Sequence, residues 1–269
     1  MNKKLGRGQI SLSWLNKYSC ILFRSLYTNI LIDPVDIDPS LFDKLDAILI
    51  TQDAFDHLDE SIVSEIQSKT NCTVIADTIS SNKLSQIPEE KIKIAHAKDE
   101  FQIDECRVYV ERSATSSISP LTYIIVSEEG TSVYHTSDSR PFEEMRIIGE
   151  KYKIDVCFCA VGFASKVNPK TGFEIAKLIK PKVALPYHGV KLKEFVNLVS
   201  KKIPNVNEVK IKEKKKIDKN KIRLHTVWKG FGNIPAIVRH IVKPEMISWE
   251  EIDIWDEEKL TCTWECKPF

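Results

Sequence analysis

The 269-residue sequence predicts an α+β fold built from two mixed sheets packed face to face with helices outside. Two observations carry this. The chain opens with short β-type runs separated by polar turns, and helical and strand patterns then alternate. The later stretch also partly repeats the plan of the earlier one, with no short-period repeat and no long linker between them.

Ile10–Leu15, Cys20–Arg24 and Asn29–Ile32 are the opening β-type runs, the third ended by Asp33-Pro34. Ala47–Ile50 is wholly apolar and reads as a buried strand. Leu58, Ile62, Val63 and Ile66 fall at helical spacing, so a helix is expected over Leu58–Gln67. Thr73–Ala76 is a strand and Thr78–Leu84 a weak helix. Ile92–Ala95, Phe101–Ile103 and Cys106–Val110 alternate as strands do. Leu121–Val126 and Thr131–His135 flank Glu128-Glu129-Gly130, which reads as a hairpin turn. Pro141 suits the first turn of a helix reaching Glu150. Val156–Val161 is again a buried strand, Asn168-Pro169 opens a helix to Ile179, and Val183–Leu185 is a strand ending in Pro186-Tyr187-His188-Gly189. Lys191–Lys201 is an amphipathic helix, and Val209–Ile211 with Ile222–Val227 closes the pattern, giving a first domain over 1–227.

Residues 228–269 fall beyond that plan as a Trp-rich, acidic extension expected to pack on the first domain. They hold Trp228, Trp249, Trp255 and Trp264, and eight acidic residues against one lysine lie between Glu245 and Glu265. Lys191 to Arg223 is the reverse, with twelve basic residues against four acidic. That basic stretch, 191–223, could contact an anionic partner. The simpler reading is solvated helix and strand surface, the usual fate of a charge run.

Composition narrows the classes. Lys+Arg 39 against Asp+Glu 38 leaves a net charge of +1, so no overall field recruits nucleic acid or an anionic membrane. No apolar run approaches the ~20 residues of a membrane span, and Met1-Asn2-Lys3-Lys4-Leu5-Gly6 leads into the first strand without the apolar core of a leader peptide. Seven cysteines scattered over the chain read as reduced thiols, and the expected location is cytoplasmic. Neither G-x-x-x-x-G-K-[ST] nor G-x-G-x-x-G occurs, and Ser113 and Ser116 have no neighbouring histidine to activate them.

The chemistry-bearing stretch is Ile48-Leu49-Ile50-Thr51-Gln52-Asp53-Ala54-Phe55-Asp56-His57-Leu58. Asp56 and His57 stand side by side just past a buried strand, where α/β proteins place ligands. A carboxylate and an imidazole can share a metal ion; they can equally be a capping Asp and a surface His. The strand-T-x-x-x-x-D-H-L arrangement resembles the H-x-H-x-D-H signature of the metallo-β-lactamase superfamily. Trp14-Leu15 followed by Ile30-Leu31-Ile32-Asp33-Pro34 is similar to the opening of the branch containing ascorbate-phosphate lactonases and N-acylphosphatidylethanolamine phospholipases D. Asn16-Lys17 stands where that branch often has Gly-His. Glu111-Arg112-Ser113, Tyr134-His135-Thr136-Ser137-Asp138-Ser139, Ala160-Val161-Gly162-Phe163 with Asn168-Pro169, and Leu185-Pro186-Tyr187-His188-Gly189 follow in the family's order.

The resemblance covers about residues 8–227 and implies a four-layer αββα sandwich. It also implies a site in which seven ligands hold two metals. The first metal's three histidines fall on Gln52, Ala54 and Arg112, so that set is lost. The second metal's ligands fall on Asp56, His57 and His188, and the bridging carboxylate is Asp138, so that set is kept. Asp33 is implied as a carboxylate bracing the metal loop, and His135 is a further bracing candidate. The expectation is a hydrolase of lactone or phosphodiester type working with one Zn, Mn or Fe ion on a small or phosphorylated substrate. Asp138 is then the general base and Arg112 the electrophile. The alternative is a catalytically silent binding module of the same fold, with no metal and with Arg112 paired to Asp138 or Asp56. His96, His225 and His240 have no ligand-type neighbours, Cys157 and Cys159 share one face of a buried strand, and Cys262-x-x-x-Cys266 is loosely spaced for zinc.

Overall fold

A computed structural model describes residues 5–202, 208–218, 221–229, 248–256 and 261–268, with side chains described through residue 199. The described residues fall into two units, one up to residue 198 and the other from residue 199 onward. The first holds two six-stranded sheets. One runs in order β1 (Ser11–Trp14), β2 (Ile21–Arg24), β3 (Asn29–Ile32), β4 (Ala47–Ile50), β5 (Thr73–Ala76) and β6 (Ile92–Ile94). Its first three strands are antiparallel neighbours and its last three continue parallel from β3. The other contains β7 (Glu100–Ile103), β8 (Cys106–Arg112), β9 (Leu121–Val126), β10 (Ser132–His135), β11 (Val156–Ala160) and β12 (Val183–Tyr187). Here too an antiparallel meander leads into three parallel strands. The repeated plan expected from sequence is therefore present as two sheets of one design, and the αββα class holds.

Alternation along the strands sets the layers, because successive side chains point to opposite faces. Ile21, Phe23, Ile30, Ile32 and Leu49 join Val108, Val110, Tyr123, Ile125 and Phe158 in one core. Leu22, Leu31, Ile48, Ile50 and Val74 form a second core with Val63, Ile66 and Leu84. Val63 and Ile66 come from α1 (Glu60–Thr70), and Leu84 ends α2 (Thr78–Lys83). Every residue of β4 is buried, which is why it reads as an unbroken apolar run rather than an alternating one. Tyr123 carries its hydroxyl across to donate to the Ile50 carbonyl at 2.8 Å, and the Leu121 amide donates to the Thr51 carbonyl at 2.8 Å. These bonds fix one sheet against the other beside the end of β4.

Helix α1 begins at Glu60 rather than Leu58. Asp59 caps it by accepting from the Ser61 and Ile62 amides at 3.1 and 3.0 Å. The His57 and Leu58 amides instead donate to the Ala54 carbonyl, both at 2.9 Å, so Asp56-His57 sits in a turn of its own. Helix α3 (Met145–Tyr152) likewise starts later than Pro141, after a turn in which the Met145 amide donates to Phe142. Helix α4 (Pro169–Ile179) opens with the expected Asn168-Pro169 and carries a reciprocal capping box between Asn168 and Thr171. Helix α5 (Leu192–Lys202) follows β12.

Val209–Ile211 and Ile222–Val227, expected to close the sandwich, do not join either sheet. They are parts of β13 (Glu208–Asp218) and β14 (Lys221–Lys229), which pair with β15 (Ser248–Asp256) and β16 (Thr261–Pro268) in a four-stranded antiparallel sheet. The expected boundary at 227 thus falls inside β14. A tight connection between two long alternating strands favours a local hairpin over a distant sheet edge. Cys262 and Cys266 lie four residues apart along β16, about 13 Å at strand rise, too far for one zinc ion. His225 lies on β14. His240, the side chains of most of the basic stretch 191–223 and those of the tryptophan-rich tail lie outside the described residues. Among the described residues no helix is long and apolar enough to cross a membrane.

One position tests the packing of the helices on the second sheet. A Cβ on Gly149 of α3 would stand 2.2 Å from the Ile179 carbonyl oxygen at the end of α4. Alanine inside a helix ordinarily stabilises by about 1 kcal/mol over glycine. Gly149→Ala is expected to reverse that sign and cost roughly 1–3 kcal/mol, read as a lowered thermal midpoint. An unchanged or raised midpoint would mean that α3 and α4 are not in this close contact.

Candidate metal centre

The site lies at the C-terminal ends of the parallel strands in both sheets, the position where open α/β sheets bind ligands. From the first sheet come Asp33 after β3 and Thr51 to His57 after β4. From the second come Asp138 after β10, Gly162 after β11 and His188 after β12.

Asp33 is the hub. It is fully buried and holds a left-handed backbone at φ 47, unusual for a residue with a side chain. Its Oδ1 accepts the Thr51 amide at 2.8 Å. Its Oδ2 accepts the Thr51 hydroxyl at 2.7 Å, the Ser19 hydroxyl at 3.0 Å and His57 Nδ1 at 2.8 Å. The proton on His57 Nδ1 is thereby committed to Asp33, and the lone pair of Nε2 points the other way. That Nε2 is buried with no hydrogen-bond partner, 3.9 Å from Asp56 Oδ1 and 3.9 Å from Asp138 Oδ2.

His188 repeats the arrangement from the opposite sheet. Its backbone is left-handed at φ 49, and its Nδ1 donates to the Gly162 carbonyl at 3.1 Å. Its Nε2 is also buried and unpartnered; Asp56 Oδ2 comes within 3.3 Å without completing a hydrogen bond. The two imidazoles stack at 5.0 Å between centroids and 29° between planes. Gly189 makes this approach feasible, since a Cβ there would stand 2.7 Å from the Gly162 nitrogen.

Ligand atoms of Asp56, His57 and His188 all lie within 4.8 Å of one another. Two lone-pair nitrogens and the carboxylates of Asp56 and Asp138 converge with no donor among them, and Asp138 Oδ1 is buried without a partner as well. Such a cluster needs a positive charge at its centre, either a proton or a metal ion. Burial disfavours an imidazolium at His57, yet the carboxylates of Asp33, Asp138 and Asp56 outweigh it and raise the His57 pKa. Burial acts against ionised Asp56 too, and the imidazoles of His188 and His57 outweigh it and lower that pKa. Ligand atoms sharing a zinc-sized ion sit about 2 Å from it, so this cluster has the scale and donor chemistry of one such ion.

His135 takes a different part. Burial holds its pKa down at about 4, so the ring is neutral. Its Nε2 donates to the Ser19 carbonyl at 2.9 Å, and its Nδ1 accepts the Ser137 amide at 3.3 Å. With both nitrogens occupied, it ties together the loops that carry Asp33's donors and Asp138.

The three positions read as a lost ligand set are placed as follows. Gln52 is buried and its Oε1 accepts the Ser117 hydroxyl, while its Nε2 has no partner. Ala54 contributes its carbonyl to the turn holding Asp56-His57. The Arg112 guanidinium bonds Glu144 at 2.8 Å and lies 3.9 Å over the Phe142 ring. Among the described residues it makes no ion pair with Asp138 or Asp56; the half-exposed Glu144 and the flat ring before α3 offer it a partner without desolvation. Sequence reading missed Ser19, Thr51 and Ser137. Thr51 and Ser137 stand inside the motifs and carried a signal; Ser19 reaches Asp33 only through the tertiary fold.

The fold agrees with known proteins. The metallo-beta-lactamase fold protein YhfI from Bacillus subtilis superposes with a TM-score of 0.59 at 14% identity, over 71% of this chain and 92% of that one. A metallo hydrolase from the archaeon Ignicoccus hospitalis gives a TM-score of 0.60 at 22% identity, over 71% and 89%. In sequence, a UPF0173 metal-dependent hydrolase of Saccharolobus solfataricus is 30% identical over 211 residues, 71% of this chain and 92% of that protein. Another UPF0173 metal-dependent hydrolase, from Caldivirga maquilingensis, is 29% identical over 212 residues, 72% and 92%. Residues 11–188, from the first strand to the histidine that closes the cluster, match the beta-lactamase superfamily domain, and the chain belongs to that family.

Proposed function

We propose that this chain is a hydrolase that works with one divalent ion, held by Asp56, His57 and His188 and flanked by Asp138. One observation carries the reading. Two buried imidazole Nε2 atoms, each fixed by a hydrogen bond on its other nitrogen, face carboxylates with no donor between them. Two imidazoles and two carboxylates suit Zn²⁺, Mn²⁺ or Fe²⁺. Bound there, such an ion supplies Lewis acidity that polarises a carbonyl or phosphoryl oxygen and acidifies an attacking water.

The protein's own residues do the rest. Asp33 holds His57 in the tautomer that leaves Nε2 free. Gly162 does the same for His188. Asp138 Oδ1, unpartnered and buried, accepts the proton of the attacking water, while Oδ2 faces the cluster. Arg112 stays in its ion pair with Glu144, so the electrophilic role falls to the ion alone. The substrate is a lactone, ester or phosphodiester, the groups whose cleavage needs an activated water and a polarised oxygen.

A binding module without catalysis is the second reading. Gln52 and Ala54 favour it, since neither offers a ligand where the resemblance places two. The metal content decides between them. Protein purified without chelator is expected to carry about one ion per chain by elemental analysis; content near zero that Zn²⁺, Mn²⁺ and Fe²⁺ all fail to restore would sink the hydrolase reading. His57→Ala and His188→Ala should each abolish that binding. Asp33→Asn, which disturbs only the brace, is expected to weaken metal affinity by about 10- to 100-fold in a competition titration. Asp138→Asn should retain the ion yet lose about 10²- to 10⁴-fold in turnover. Equal turnover in that variant would remove Asp138 from the base role.

A further inference from the structure

Three aromatic rings stand over the metal centre, each from a different loop. Tyr18 lies between β1 and β2, Phe55 between β4 and α1, and Phe163 between β11 and α4. Tyr18 meets Phe55 edge-on at 6.2 Å and Phe163 edge-on at 5.7 Å. Phe163 packs edge-on against the His188 ring at 5.5 Å, and Tyr18 lies 6.3 Å from the same ring. The rim is thus continuous with the ligand cluster.

Two of its rings are exposed where a core residue would be hidden, and Tyr18 is half-buried between them. Phe55 is 77% and Phe163 49% accessible. Scattered exposed apolar residues are normal, but a contiguous set beside a polar centre marks a binding surface. The rim is also rigidly mounted. Phe55 is the chain neighbour of Asp56, and Phe163 follows Gly162, whose carbonyl orients His188. Tyr18 is pinned through its backbone by Trp14 Nε1 at 2.8 Å and Asn16 Oδ1 at 2.9 Å. Phe163 holds a left-handed backbone at φ 65, a conformation that is costly for a bulky residue and recurs at ligand sites.

Charge on the same loops points to what the rim receives. Lys17 faces Asp36 at 3.9 Å, and Lys83 binds Asp53 at 2.9 Å. Lys166 is the one lysine of these three loops without a carboxylate partner among the described residues. Lys17 lies over the Tyr18 ring at 4.8 Å with Asp36 answering its charge, and these three loops carry no arginine to fork a phosphoryl group. We infer that Tyr18, Phe55 and Phe163 form a subsite for an uncharged apolar arm, alkyl or aromatic, of a carboxylic ester or lactone whose carbonyl lies at the metal centre. This deepens the hydrolase reading and rests on it.

Calorimetric titration with straight-chain carboxylates from acetate to decanoate, which mimic the acid product, tests the subsite. On metal-loaded protein the affinity should rise about three- to fourfold for each added methylene. Phe163→Gly removes the ring and relaxes the backbone, so the fold is kept; it and Phe55→Ser should flatten that slope while the metal content and the affinity for acetate stay within about twofold. A flat slope in the natural protein, or an unchanged slope in both variants, would overturn the inference. The same series run with n-alkanols on metal-free protein reads the rim without the ion. A protein that takes no metal would defeat the hydrolase reading, and the alkanol slope would then decide the rim separately.

Discussion

The bond between His57 and the buried Asp33 carboxylate is the constraint on which the rest of the site depends. A carboxylate taken out of water costs several kcal/mol unless its oxygens are satisfied. Asp33 meets that demand with donors from two segments: Ser19 between β1 and β2, and Thr51 with His57 after β4. The Thr51 hydroxyl in turn accepts from Ser137, whose carbonyl accepts the Tyr187 hydroxyl at 2.7 Å. One buried charge therefore links the ends of β3 and β4 to the loop after β10 and the last residue of β12. Orientation of the imidazole and cohesion of the two sheets are the same set of hydrogen bonds.

On the far side of that imidazole the balance of groups is inverted. Around Asp33 donors converge on an acceptor; around His57 Nε2, His188 Nε2 and the Asp56 and Asp138 carboxylates, acceptors converge with no donor. A folded protein seldom leaves so many buried acceptors facing one another unless a cation joins them. The places of Gln52 and Ala54 contrast with this. Gln52 presents an amide already engaged by Ser117, and Ala54 only a backbone carbonyl. The asymmetry suits one ion, and the relatives of this chain are named metal-dependent hydrolases.

The rim explains a second asymmetry. The acidic, nearly enclosed centre opens onto three aromatic rings. In the proposed hydrolase, the ion and Asp138 would act on the bond to be cut, and the rings on what the bond is attached to. An apolar arm buried against Phe55 and Phe163, as proposed, would also keep bulk water from the carbonyl and strengthen electrostatic interactions at the centre.

Much of this was legible in the sequence. The unbroken apolar run Ala47–Ile50, the hairpin arm Leu121–Val126 and the Asn168-Pro169 helix start are local signals with local causes, and the structure reproduces their bounds. Asp56, His57, Asp138 and His188 were legible because strand ends and turns carry them within short motifs. Other features depend on distances that no local pattern encodes. The third sheet formed from β13 to β16 because a near hairpin partner outcompetes a far edge. Arg112 went to Glu144 and Phe142, a half-exposed pairing that costs less desolvation than one inside the cluster. Ser19 reached Asp33, and Tyr18, Phe55 and Phe163 came together over His188, only because two sheets closed. The sequence by itself determined the strands, the helices and the residue types able to hold a metal. Tertiary structure decided which nitrogen of each imidazole is free, since that choice is made by hydrogen bonds from residues far away in the chain.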